Sequence, residues 1–214
     1  MLKNKHYINN HENSLDIQRD LDKFKSYLSQ FRTLSNATKQ ILIENITIDS
    51  LPARSIILER NHFENELRYI TNGLVKITYH NGLEYYVYDF RDQNNLLCDT
   101  VSLFYKQLSH FSMETITNCS ILKIDRAKLI PILQENKDLQ ELMILMLNTY
   151  MNKYHNKQCY FRSLSADERY SQFCKKFPNA IKFAKLRDIA SYLCITQQSL
   201  SRIRRSIQAR EKSQ

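Results

Sequence analysis

The chain has 214 residues, 31 of them basic and 22 acidic, for a net charge of +9. With 43% hydrophobic and 25% charged residues it has an ordinary globular balance, which excludes a disordered or collagen-like chain. Its longest apolar run, Leu142 to Leu147, falls far short of the about 20 residues that cross a bilayer, and two glycines, Gly73 and Gly82, are too few for a glycine-rich phosphate loop.

The first residues are polar and carry no apolar stretch ahead of a small-residue cleavage site, so a cytoplasmic protein without membrane contact is expected. Residues 14–46 read as helical: Leu21, Phe24, Tyr27, Leu28 and Phe31 recur at threes and fours, and Ser35 caps a second helix with Ile41, Leu42 and Ile46. From Leu51 to Ile124 the pattern changes to short β-branched and aromatic runs: Ser55–Leu58, Leu67–Ile70, Leu74–Tyr79, Tyr85–Phe90, Phe111–Ile116 and Ser120–Ile124. His80-Asn81-Gly82 between two such runs is a hairpin signal, because Asn-Gly supplies the positive φ of a tight turn. Strands at this spacing predict a sandwich or small barrel.

Beyond Ile124 the strand pattern stops. Asp138 is placed to cap a helix of about 25 residues, about 37 Å long, in which Leu139, Leu142, Met143, Met146 and Tyr150 line one face. Such a helix either packs on its own domain or forms a seam between two copies; the stripe outruns a small barrel, and the homodimer is the expectation. Ser165-Ala-Asp-Glu168 is a capping box that opens a further helix, closed by Pro178. Five cysteines form no CxxC pair and six histidines form no HxH or HExxH, so reduced thiols, no metal and no cofactor are expected, and no catalytic constellation is visible.

The charge is concentrated at the end of the chain: residues 179–214 hold eight basic residues against two acidic ones. Within them, residues 186–205 meet the requirements of a helix-turn-helix. Ile189, Leu193, Ile195, Leu200 and Ile203 supply an inner apolar set, Ala190 is the small residue at the crossing, and Thr196 caps the second helix. Gln197, Gln198, Ser201, Arg202 and Arg205 are left facing outward, where Gln pairs bidentately with adenine and Arg with guanine in the major groove of double-stranded DNA. Lys185 and Arg187 are candidate phosphate contacts.

With these residues in hand, the chain resembles the Crp/Fnr family of bacterial transcription regulators over nearly its whole length. The resemblance rests on Tyr69-Ile-Thr-Asn-Gly73 and, more specifically, on Leu186–Leu193, Ser199–Arg204 and Ser165–Tyr170, which are similar to the Bacteroidetes branch. It implies an α+β fold in three parts: helical lead-in and cyclic-nucleotide-binding-like jelly-roll (double-stranded β-helix) sensor barrel over 1–136, dimerisation helix over 137–164, and winged helix-turn-helix over 165–214. It further implies a non-enzymatic homodimer on a palindromic operator, with RNA polymerase as a partner. Ser201 and Arg202 fall on the Ser-Arg pair that Fnr-like members use against bases, while Gln198 replaces the usual glutamate. Cys194 stands where such turns usually carry glycine, so an adjusted turn is expected. The sensor loop departs from the family: Asp99 and Thr100 occupy the Gly-Glu position, Ser109 and His110 fall near the missing phosphate-binding arginine, and neither Arg nor Lys occurs between Lys106 and Lys123. No cyclic-nucleotide response is therefore expected, and the effector is unknown or absent. The alternatives from other classes are a cupin-like barrel enzyme, which needs clustered His/Glu ligands, and a ligand-binding module that docks a protein through its C-terminal helices.

Overall fold

The computed structural model describes residues 12–80, 82 and 84–211. Helices α1 (Glu12–Ser29) and α2 (Asn36–Asn45) lead in, and the Ser35 side chain accepts from the Thr38 amide to cap α2. Eight strands follow: β1 (Thr47–Leu51), β2 (Ile56–Leu58), β3 (Glu66–Asn72), β4 (Leu74–His80), β5 (Tyr85–Asp92), β6 (Asn95–Leu97), β7 (Phe111–Thr115) and β8 (Cys119–Asp125). A short helix α3 (Thr100–Tyr105) interrupts them. They form two four-stranded antiparallel sheets in the orders β1-β8-β3-β6 and β2-β7-β4-β5, a β-sandwich in which, among the described strands, β4 and β5 alone pair as sequence neighbours and the other pairings join strands distant in sequence. The hairpin residue Asn81 lies outside the described residues, as does Lys212.

Register explains what each face of the second sheet does. Val75 pairs with Arg91 and Ile77 with Asp89, so these four share the inner face; Lys76 pairs with Phe90 on the outer face. Val75 and Ile77 accordingly sit in a buried cluster with Ile70, Leu97, Met113 and Ile121 between the sheets. Gly73 turns β3 into β4 at φ +108, where an added Cβ would lie 2.4 Å from the Cys119 sulfur and 2.6 Å from the Asn118 carbonyl oxygen. Only glycine fits this turn.

Helices complete the chain: α4 (Arg126–Glu135) and α7 (Pro178–Phe183), which the sequence pattern does not mark, the expected α5 (Lys137–Ser163) and α6 (Ala166–Lys176), and then α8 (Leu186–Tyr192) and α9 (Gln197–Glu211). Asn136, not Asp138, caps α5 by accepting from the Leu139 amide, and Asp138 instead pairs with Arg32 at 3.2 Å. The capping box of Ser165 and Glu168 forms at α6, and Pro178 occupies the first turn of α7. Among the described residues no strand follows β8, so the wing expected beside the last two helices is not formed by residues up to Glu211.

The long helix α5 corrects the expected seam. Leu139, Leu142 and Met146 are buried in their own chain against Phe24, Leu28, Leu103 and Leu129. Tyr150 lays its ring 4.8 Å from the Arg91 guanidinium, and Met143 is half-buried. A second stripe, Ile144, Leu147, Met151 and Tyr154, is exposed at 58%, 40%, 52% and 39%. Ile144 and Met151 are seven residues apart, as are Leu147 and Tyr154, the spacing of the a and d positions of a heptad. A helix with two apolar stripes has one for its own core and one left uncovered.

Candidate nucleic-acid interface

Helices α8 and α9 are joined by four residues whose backbone bonds close the first helix. The Ile195 amide donates to the Ala190 carbonyl at 3.1 Å and the Cys194 amide to the Ser191 carbonyl at 3.1 Å, a Schellman closure that needs a left-handed residue at Cys194. Cys194 has φ 55, which costs a non-glycine residue about 1–2 kcal/mol. The turn is thus adjusted at the position singled out from the sequence. Thr196 caps α9: its hydroxyl accepts from the Ser199 amide at 3.1 Å.

The inner residues are where the apolar pattern put them. Ile189, Ala190, Leu193, Leu200 and Ile203 are all buried, and Ile195 packs against them. This fixes the rotation of α9 about its axis. Gln197, Gln198, Arg202 and Arg205 are exposed and Ser201 is half-exposed, so these five lie together on the face opposite the core. Ser201 donates to the Gln197 carbonyl at 3.0 Å, and the Arg205 Nε to the Ser201 carbonyl at 3.4 Å, which lays Arg205 along the helix. Thr196, Lys185 and Arg187 are exposed beside this face, Lys185 at the start of α8. Arg204, by contrast, points back and interacts with Tyr170.

The sequence did not reveal how this helix pair is held. α8 lies on the outer face of the β4–β5 ribbon, where Leu74, Val87 and Phe90 join the apolar core of the last four helices. Phe90 meets the rings of Phe173, Phe177 and Tyr192 at 5.5 to 5.9 Å between centroids. The Val87 amide donates to Ser191 Oγ at 2.9 Å. Lys76 reaches Asp188 at 3.4 Å and Glu114 at 3.0 Å, with Lys76 and Asp188 both buried. Burial alone would lower the lysine's pKa, but the hydrogen bond to Glu114 and the charges of Tyr85 and Asp188 outweigh it and hold the ammonium above its usual range. Asp188 directly precedes Ile189 and Ser191 directly follows Ala190, and nothing local distinguishes them from solvent-facing positions.

In the sensor loop, Asp99 caps α3 by accepting from the amides of Val101 (3.1 Å) and Ser102 (3.3 Å), and its other oxygen accepts from Ser109 at 2.7 Å. The neighbouring Arg68 is committed to Glu64 at 2.9 Å and Glu66 at 2.8 Å. Thr100 and His110 are exposed. An anion at this loop would meet the buried Asp99 carboxylate, with the Arg68 guanidinium already paired. Among the described residues no group of His, Cys, Asp and Glu has the arrangement to hold a metal ion, and no helix is long and apolar enough to cross a membrane.

No family model matches the chain, and no curated protein matches it. Solved structures do. The c-di-GMP-responsive global regulator CLP of Xanthomonas campestris matches with a TM-score of 0.63 at 13% identity, over 83% of this chain and 93% of that one. FixK2 of Bradyrhizobium japonicum matches with 0.61 at 16% identity, over 78% and 86%. The catabolite activator protein of Thermus thermophilus matches with 0.52 at 12% identity, over 86% and 88%. The chain has a Crp-like fold. At these identities the likeness is one of architecture, over most of each chain. These neighbours are regulators of the Crp/Fnr type rather than enzymes.

Proposed function

We propose that the chain is a sequence-specific, double-stranded-DNA-binding transcriptional regulator that works as a homodimer. The observation that carries this is the outward face of α9. Five groups able to read base edges, Gln197, Gln198, Ser201, Arg202 and Arg205, lie opposite a fully buried apolar face, with Thr196, Lys185 and Arg187 at the flanks for phosphates. In this reading α8 and α9 are a helix-turn-helix in a C-terminal domain over 165–214, the strand orders of 1–136 are those of a jelly roll, and α5 within 137–164 joins two copies. Two α9 helices then enter successive major grooves about 34 Å apart on a palindromic site, with RNA polymerase recruited or blocked in the cytoplasm. The subfamily resemblance of 186–193 and 199–204 belongs to the same reading.

The exposed stripe of Ile144, Leu147, Met151 and Tyr154 supports the dimer in place of Leu139, Leu142 and Met146. In this reading cyclic AMP and cyclic GMP are not effectors, because the positions near the missing phosphate-binding arginine are Ser109 and His110, and Ser109 donates to the Asp99 carboxylate. The test is retention on genomic DNA fragments as a function of salt. A steep loss of affinity with rising salt, with enrichment of one palindromic sequence and no change on adding either cyclic nucleotide, is expected. Uniform retention of all fragments would reject sequence-specific reading.

A further inference from the structure

Where the sandwich, α5 and the C-terminal helices meet there is a cleft of about 380 Å³ that none of the sensor-loop residues 99–110 lines. At about 30 Å³ of liquid volume per water, it has room for about a dozen small atoms or waters. Its floor is Arg91 and Asp89 from the inner face of β5 and Lys157 from α5; its rim carries Lys153 from α5 and Lys176 from the end of α6. Tyrosines from three elements stand around these cations, among them Tyr88 on β5, Tyr154 on α5 and Tyr192 at the end of α8.

The charges do not balance. Asp89 is spent on the floor, against Arg91 at 3.0 Å and Lys157 at 3.6 Å. The other carboxylate, Asp92, is bound by the Asn95 amide at 2.9 Å. Four cations therefore face two carboxylates, and among the described residues neither Lys153 nor Lys176 forms an ion pair. Lys157 and Lys176 are both held below the usual lysine range, chiefly by burial; Asp89 opposes this on both and Asp92 on Lys176, while positive neighbours add to it, Lys176 and Arg91 on the one and Arg91 and Lys153 on the other. Aromatic surface is also exposed to the cations: the Lys157 ammonium lies 4.5 Å from the Tyr192 ring centre and 5.1 Å from that of Tyr88.

We propose that this cleft binds a small aromatic anion, its carboxylate or phosphate held by Lys153 and Lys176 and its ring among the tyrosines. The inference rests on the regulator reading for its consequence, because the ligand touches both β5 and the helices that carry α9, and so biases how the DNA-reading face is held. Binding itself does not depend on that reading.

Calorimetric titration of the full chain, without DNA, with phenylpyruvate and with phenyl phosphate tests the site and separates the two head groups; benzamide is the neutral control. One molecule per chain is expected for at least one of the anions, with a submillimolar dissociation constant, and no heat from benzamide. Lys153→Gln and Lys176→Gln, with urea unfolding showing that each chain keeps its fold, should each weaken binding at least tenfold, while Lys182→Gln should not. No heat from either anion, equal binding of benzamide, or binding indifferent to both rim substitutions overturns the proposal. DNA retention measured with and without the bound anion then tests the coupling: a shift of threefold or more is expected, and an unchanged affinity removes the regulatory role. A chain that fails to bind DNA both with and without the anion would instead reject the regulator reading and leave the calorimetric result standing.

Discussion

Replacing Met151 with Glu should split the proposed dimer and leave the protomer folded, whereas replacing Met146, five residues earlier on the same helix, should unfold it. Met151 is 52% exposed in the single chain and Met146 only 8%, packed with Leu142 and Leu103. A carboxyl buried as Met146 is has its pKa raised by up to about 3–5 units, so at pH 7 it takes up a proton, which from an ordinary Glu value of about 4.3 and at about 1.36 kcal/mol per unit costs about 3–4 kcal/mol, a large part of a domain's total stability of about 5–15 kcal/mol. At Met151 the single chain keeps the new carboxylate in water, so its stability changes by less than about 0.5 kcal/mol. In a pair of α5 helices packed at about 8–10 Å, two such charges repel by about 2 kcal/mol at an effective dielectric of about 20, and desolvation adds several more. A total near 5 kcal/mol raises the dimer dissociation constant more than about a thousandfold. Sedimentation velocity reads the assembly and urea unfolding reads the fold. A Met151→Glu chain that stays dimeric at micromolar concentration, or a Met146→Glu chain as stable as the parent, refutes this division of the helix into two faces.

Asp188→Ala should cost about 3 kcal/mol, the low end for breaking a buried ion pair, because Glu114 still holds Lys76; an unchanged urea midpoint would show that the pair does not hold α8 to the sandwich. Gly73→Ala should cost about 3 kcal/mol or more, since a left-handed backbone and a contact with the Asn118 carbonyl both oppose a Cβ; denaturant titration reads it, and a loss below 1 kcal/mol would mean that the turn has room. The Glu168 carboxyl, held below the usual range by its hydrogen bonds with Ser165, should titrate low by NMR and return to an ordinary value in Ser165→Ala. Because that pKa is depressed by folding, the cap's contribution is present above the ordinary carboxyl pKa and is lost as pH falls through the folded one; identical titration in both chains would mean that the box does not form in solution.

What the sequence carried well was local. Ser35, Ser165 and Thr196 were legible as caps because a cap is written within four residues, and the six strand runs were legible as alternating or β-branched stretches. The short strands β1 and β6 were not, since Asp49 and Ser50 interrupt the apolar residues of the first and the second is identified mainly by its pairing with Arg68, Tyr69 and Ile70. Helix α4 was obscured by Pro131 in its interior. In α5 the run Leu142 to Leu147 is apolar all round, so periodicity offered two stripes and no way to tell which one its own core takes. For the candidate DNA face, the inner apolar set determined the outward residues correctly, since burial on one side of a helix fixes the other. Asp188, Ser191 and Tyr192, which hold that helix pair to β4 and β5, depend on residues about 100 positions away and leave no mark in their own segment.

The role of α9 is tested most directly by the salt dependence of operator binding in Arg202→Ala and Lys185→Ala, each compared with the parent chain on its selected site and on a scrambled duplex. Arg202 stands on the outward face and Lys185 at its flank. Removing the first should cost about 1–3 kcal/mol on the selected site alone and relax preference at one base pair; removing the second should weaken both duplexes alike and lower the salt slope by about one. Full operator affinity in Arg202→Ala, with specificity intact, would take α9 out of the major groove.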